Sequence, residues 1–267
     1  MEFKVTLVQM SCTEGRPDEN YRRALTLLRE HRPVCDREFV LLPELFAIGF
    51  NPEDYKRIGP DVPSLTRGFL SDLAREHRAY VIATGVEPVS ERFYNTLLVM
   101  SPGGEEVARY RKIHPFQNER EVFVGGDRLV LFEAAGLKVG VEICYDLRFP
   151  EVTRRLALEG AQLVLVPAAF PEPRSSHWDV LIRARAIENQ LFMACCNRVG
   201  GAFDGKRYFG HSNIIDPWGV RMVEERSDEC LLAASCDTSA TETARETITC
   251  FADRVEDAYG RVEWFRG

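Results

Sequence analysis

The stretch VGVEICYDLRFPE, residues 139–151, decides how the chain is read. It opens as an apolar run rich in β-branched residues, which fits a strand buried on both faces. It then passes through a cysteine into a polar, proline-bearing turn, and EVTRRLALEG (151–160) follows with helical spacing. Cys144 stands at the junction. Two readings of it compete: the last core residue of a strand, or a thiol presented at a strand-to-helix turn for chemistry.

The same alternation extends in both directions. Toward the N-terminus, FKVTLVQ (3–9) reads as a strand and NYRRALTLLREH (20–31) as a helix, with Pro17 and Asp18 near its start. FVLLP (39–43) is a second buried strand, and SLTRGFLSDLAREHR (64–78) has helical spacing. Strands follow at YVIATGVEP (80–88), RFYNTLLVMSP (92–102) and EEVARYR (105–111), the last two divided by a Pro-Gly-Gly turn. LVLFEAAGLKVGVEIC (129–144) is a hairpin turning near Gly136. Toward the C-terminus, AQLVLVPAAF (161–170) and LFMACCNRV (191–199) are strands around a helix at HWDVLIRARAIENQ (177–190). HSNIIDPWGVRMVEE (211–225) and CLLAASC (230–236) read as further strands, and the segment from about 239 has no clear pattern. Strands buried on both sides, with amphipathic helices between some of them, predict a layered α/β protein with sheet against sheet.

Composition narrows the partners. A net charge of −7 and 28% charged residues argue against a nucleic-acid or anionic-membrane partner, each of which favours a basic face. No stretch approaches the ~18 apolar residues of a membrane span. MEFKVTLVQM lacks the basic head and apolar core of a secretion signal, so a cytoplasmic location is expected. The eight cysteines (12, 35, 144, 195, 196, 230, 236, 250) form no CxxC pair or disulfide framework, and Cys195 and Cys196 read as core. Five scattered histidines lack helical ligand spacing, so no metal site is expected.

In α/β folds, ligand-binding groups collect at the carboxyl ends of strands. Glu44 follows FVLLP, Lys112 follows EEVARYR, and Cys144 ends the 139–143 run. A thiol attacks carbonyl carbon only as thiolate. A carboxylate can take its proton, and an ammonium favours the charge that results. The first N–H groups of the helix after Cys144 add partial positive charge. Each residue also has a plain reading: Glu44 as a loop or helix-start charge, and Lys112 as part of a solvated edge strand.

At this point the residues resemble the nitrilase superfamily of carbon–nitrogen hydrolases. LLPELF around Glu44, YRKIHPF around Lys112 and EICYDLRFPE around Cys144 carry the resemblance. HWDVLIRARAIENQ, NRVG, GHSNIIDPWG and FADRVEDAY support it, in the family's order and over essentially the whole chain. The resemblance implies a single-domain, four-layer αββα sandwich over 1–267, commonly a homodimer, with the segment 239–267 contributing to dimer contacts. It also implies a cofactor-free triad: Glu44 as general base, Lys112 as oxyanion-stabilising cation and Cys144 as nucleophile, with the N–H of Tyr145 beside them. A second glutamate is expected in QNEREVFVGGD, with Glu119 favoured and Glu121 the rival. Pro115 stands where many relatives have Leu.

The short chain and AAFPEPRSSHWDVLIRARAIENQ look most like the ω-amidase-like branch, acting on small α-keto dicarboxylic acid monoamides. The substrate would be a small-molecule amide whose carboxylate needs a cation. Arg174 and Arg148 are candidates, although Arg148 reads first as half of a structural ion pair. Phe170 and Trp178 are candidate pocket walls, Trp178 with a competing core reading. His114, His177 and His211 have no required job. The alternatives are an N-carbamoyl hydrolase or other aliphatic amidase, a catalytically silent binding subunit, and a redox-sensing thiol protein.

Overall fold

The computed structural model describes every residue except 30, 32–36, 59–60 and 266–267. In chain order its elements are β1 (Glu2–Gln9), α1 (Pro17–Leu28), β2 (Glu38–Leu41), α2 (Pro52–Ile58), α3 (Asp61–His77), β3 (Tyr80–Val89), β4 (Arg92–Met100) and β5 (Glu106–Arg111). Then come β6 (Leu131–Ala134), β7 (Leu137–Val141), α4 (Pro150–Leu158), β8 (Leu163–Ala168), α5 (Ser175–Asn189) and β9 (Phe192–Asn197). The chain ends with β10 (Val199–Gly201), β11 (Arg207–Phe209), β12 (Asn213–Ile215), β13 (Cys230–Asp237), α6 (Ser239–Thr247) and α7 (Glu256–Tyr259).

Two sheets share one plan. The first has the order β13-β1-β2-β3-β4-β5 and the second β12-β9-β8-β7-β6. In each, three parallel strands form the centre, β1–β3 in one and β7–β9 in the other, with antiparallel strands outside. Period-two alternation sorts the side chains between layers. Phe3, Val5 and Leu7 of β1 join Val139, Leu163 and Phe192 in one cluster between the sheets, where Phe3 meets Phe192 edge-on at 5.4 Å. Val8 belongs instead to the cluster with Ala24 and Leu28 of α1 and Leu70 and Leu73 of α3. The central cluster continues to Val152 and Leu156 of α4 and to Trp178 and Ile182 of α5. The layers are helix, sheet, sheet, helix, and each fully buried Leu or Phe contributes roughly 1.5–3 kcal/mol.

Some sequence expectations move. The helix expected over 20–31 runs from Pro17 to Leu28, and residue 30 and Cys35 lie outside the described residues. The strand expected over 211–225 is only Asn213–Ile215, because Asp216–Gly219 reverses the chain and Pro217 has no N–H to continue a ladder. The segment after 238 forms α6 and α7. Among the described residues no helix is long and apolar enough to cross a membrane.

Candidate active site

The site lies where parallel strands of both sheets end. Just beyond β2, Leu45 adopts a left-handed backbone (φ +48°), its N–H held by Thr84 Oγ1 at 2.6 Å. This turns Glu44 inward between the sheets, where it is fully buried. Its Oε1 accepts from Lys112 Nζ at 2.7 Å and Asn95 Nδ2 at 2.8 Å, and its Oε2 accepts from Ala169 N–H at 3.1 Å, just past β8.

Lys112 directly follows β5, its N–H donating to the Asn95 carbonyl at 2.9 Å. Its ammonium also donates to Glu119 Oε2 at 2.9 Å, and that oxygen accepts the Phe116 N–H at 3.0 Å. Glu119 lies on a 3-10 turn, Gln117–Glu121. The chain then returns alongside the lysine segment at Gly126, where any Cβ would meet the Arg111 carbonyl oxygen at 2.2 Å. Only glycine permits that approach.

Cys144 begins a 3-10 turn, Cys144–Arg148, beyond β7, with a left-handed backbone of φ +47°. Such a conformation is costly for a residue with a side chain and is typical of functional turns. Cys144 is 7% exposed and lies at the wall of a cavity, with the charges of Glu44 and Lys112 both acting on its thiol. Burial and the neighbouring Glu44 charge push it well above the usual thiol range, with Lys112 and the Ala169 N–H opposing. Burial also raises Glu44, against the pull of Lys112. For Lys112, burial opposes the charge, but Glu119 and Glu44 overcome it and hold the ammonium well up. Burial holds both the Cys144 thiol and the Glu44 carboxyl up, which argues against a preformed sulfur anion. Proton transfer to Glu44 must accompany any attack by sulfur.

The cavity, about 430 Å³, is walled by aromatic rings including Phe50, Tyr55, Phe116 and Phe170, with Arg148 and Arg174 beside them. Arg148 lies over the Phe170 ring at 4.8 Å and Arg174 over Phe116 at 5.5 Å. Among the described residues neither arginine is paired with a carboxylate, so the ion pair expected for Arg148 is absent. Its Nη atoms instead lie 3.4 Å from His177 Nδ1. Glu119 and Glu121 both line the cavity, but only Glu119 reaches Lys112. Tyr145 lines it next to the thiol.

Trp178 must be corrected. It is fully buried, with Nε1 donating to the His211 carbonyl at 2.9 Å, so the helix face turns it into the core behind Phe170 rather than into the cavity. His211 gathers with Asp179 and Glu225 in a way its sequence spacing hides. Arg221 spans both carboxylates at 3.4 and 2.6 Å and already supplies the positive charge there. Asn95 and Ala169 were missed by the sequence reading. Asn95 carried a signal, a lone amide inside the apolar strand RFYNTLLVM, whereas a backbone N–H such as that of Ala169 carries none. Asn197 was missed too; its Oδ1 holds the Phe170 N–H at 2.7 Å and fixes that wall.

The fold recurs in known proteins. A profile of the carbon–nitrogen hydrolases matches residues 4–246. A 2-oxoglutaramate amidase of Bacillus subtilis is 32% identical over 262 residues, covering 97% of this chain and 100% of the relative. Saccharomyces cerevisiae Nit3, described as a member of branch 10 of the nitrilase superfamily, superposes with a TM-score of 0.85 at 30% identity, over 92% of this chain and 94% of its own. A variant of an amidase from Nesterenkonia sp. AN1, carrying acrylamide on its active-site cysteine, superposes with a TM-score of 0.81 at 25% identity, over 94% of this chain and 99% of its own. A match this long, on a shared αββα sandwich, means that the chain belongs to the carbon–nitrogen hydrolase family of the nitrilase superfamily.

Proposed function

We propose that the chain is an amidase of the ω-amidase kind, releasing ammonia from the side-chain amide of a small 2-oxo dicarboxylic acid. The observation that carries this reading is a pair of arginines in the cavity without carboxylate partners among the described residues, together with a buried thiol. Loss of water, with a smaller repulsion from Arg174, works against the charge on Arg148. A bound carboxylate relieves both. The named activity of the Bacillus subtilis relative supports the same substrate class.

Cys144 is the nucleophile in this reading. As sulfur bonds to the amide carbon, its proton passes to Glu44, and Lys112 with the Tyr145 N–H stabilises the oxyanion. Glu44 returns the proton to nitrogen, the C–N bond breaks, and ammonia leaves a thioester. Water then gives a proton to Glu44 and attacks, the C–S bond breaks, and the acid departs as the thiol regains its proton. Glu119 holds the same ammonium as Glu44 and fixes its direction. No cofactor enters these steps. A nucleophile that must stay reduced fits the proposed cytoplasmic setting. We also assign the segment 239–267 to a homodimer interface, on the strength of its exposed apolar side chains.

The test is ammonia release from three groups of compounds: 2-oxo dicarboxylic monoamides, amides of equal length without the acid, and N-carbamoyl amino acids. The first group should be preferred. Arg174→Met and Arg148→Met should each lower kcat/KM about 10- to 100-fold on it, the range for losing one charged hydrogen bond, while leaving amides without the acid unaffected. Turnover confined to N-carbamoyl compounds would overturn the substrate, and no turnover of any of the three would favour a silent binding subunit.

A further inference from the structure

One buried carboxylate beside the nucleophile has no part in those steps. Asp146, two residues after Cys144, is fully buried and receives bonds from two directions. Its Oδ2 accepts from the Tyr110 hydroxyl at 2.7 Å and from the Ile143 N–H at 3.1 Å. Its Oδ1 accepts from the His114 N–H at 3.0 Å and pairs with His114 Nδ1 at 2.8 Å. The donors follow a pattern: Tyr110 and His114 stand two residues either side of Lys112, while Ile143 immediately precedes Cys144. Asp146 is thus a bolt between the segment that delivers the ammonium and the turn that delivers the thiol.

Two further contacts brace the bolt. The His114 ring lies flat against Phe149 at 3.6 Å and 10°, and Arg185 Nε donates to the Leu147 carbonyl at 3.1 Å from the other side of the turn. Burial, with the Asp146 charge second, pushes the Tyr110 hydroxyl well up, so it remains a donor. The turn needs such bracing, because Cys144 holds a left-handed backbone that cysteine does not favour alone.

We propose that Asp146, Tyr110 and His114 form a positioning unit that sets the Cys144 sulfur against Lys112 and thereby controls the chemical step. The proposal rests on the reading of Cys144 as nucleophile and does not depend on which amide is cleaved. An anchor that only stabilises the fold would change the melting midpoint and leave the rate per folded molecule alone. A positioning unit changes the rate, since misplacing reacting atoms by ~1 Å can cost up to ~100-fold.

The experiment uses the full chain with Tyr110→Phe, His114→Leu, His114→Asn and Asp146→Asn. It reads kcat and KM on an accepted amide, the melting midpoint, and the rate at which iodoacetamide alkylates Cys144 in the absence of amide. Tyr110→Phe and His114→Leu should each lower kcat and the alkylation rate by about tenfold, the worth of one hydrogen bond at the upper end, with KM little changed. Asp146→Asn should lose more, because an amide cannot accept from donors on both sides. His114→Asn, whose amide nitrogen takes the place of Nδ1, should recover most of the rate. Folded Tyr110→Phe and His114→Leu proteins with wild-type kcat and alkylation would overturn the proposal, even if Asp146→Asn fails to fold. A folded Cys144→Ala protein that still turns over the amide would remove the nucleophile and the positioning unit together, whereas failure of the keto-acid substrate alone would leave turnover of the other amide dependent on Cys144.

Discussion

Glu142, two residues before Cys144, shows what a single buried side chain does to the molecule. Thr153 Oγ1 donates to its Oε1 at 2.6 Å, and its Oε2 is buried with no hydrogen-bond partner among the described residues. Burial pushes its carboxyl up to about 8, with Thr153 pulling slightly the other way. The folded chain therefore keeps a proton that the unfolded chain has released above about 4.5. This contribution to stability is complete below the unfolded value and is lost as pH rises through the folded one. Between pH 6 and 8 the loss is on the order of 3 kcal/mol, at ~1.4 kcal/mol per unit. Glu142→Gln keeps the Thr153 bond without the titration. Its melting midpoint should gain on wild type by roughly 5 °C or more across that range, and a constant difference between pH 6 and 8 would refute the account. At this scale the sequence was readable in grouping residues that the structure brings together: Lys112 bonds both Glu44 and Glu119, and Cys144 lines the same cavity as Glu119. It was unreadable for Trp178, because helical spacing does not say which way a helix turns its face.

The elements explain why those residues meet. Glu44 and Cys144 each follow a parallel strand, β2 in one sheet and β7 in the other, and each sits at a left-handed residue, Leu45 after Glu44 and Cys144 itself. Each turn points its functional group into the seam between the sheets. The central strands were legible from their unbroken apolar runs. The β10–β11 hairpin and α2, which bring Tyr208, Phe50 and Tyr55 toward the cavity, were not: they are short, polar at their edges and too brief to show a period. The last element is also the least buried. Beyond α7, Val262, Trp264 and Phe265 are 80% exposed or more, an apolar display that a second copy of the chain would cover. Deleting residues 255–267 should shift the protein from dimer toward monomer in light scattering. A truncated chain that stays fully dimeric at micromolar concentration would remove the tail from the interface.

The whole molecule works as a rigid frame. Two sheets packed face to face cannot slide without disturbing contacts such as Phe3 on Phe192, so the strand ends that carry the base, the cation and the thiol keep fixed separations. The sandwich was legible because both sheets hide their central strands, which leaves few arrangements other than sheet on sheet between helices. What sequence could not supply was the charge state at the centre. Burial, with the Glu44 charge second, pushes the Cys144 thiol well above its usual range, against the pull of Lys112. The proposed chemistry passes a covalent acyl group through Cys144, and such a group can be detected directly. Wild-type chain is mixed with a 2-oxo dicarboxylic monoamide, quenched in acid during turnover, digested and weighed. The account predicts the acyl mass on the peptide containing Cys144, at no more than one per chain, with neither label nor ammonia from Cys144→Ala. Ammonia release by a folded Cys144→Ala protein, or an acyl group carried on a different residue, would contradict it.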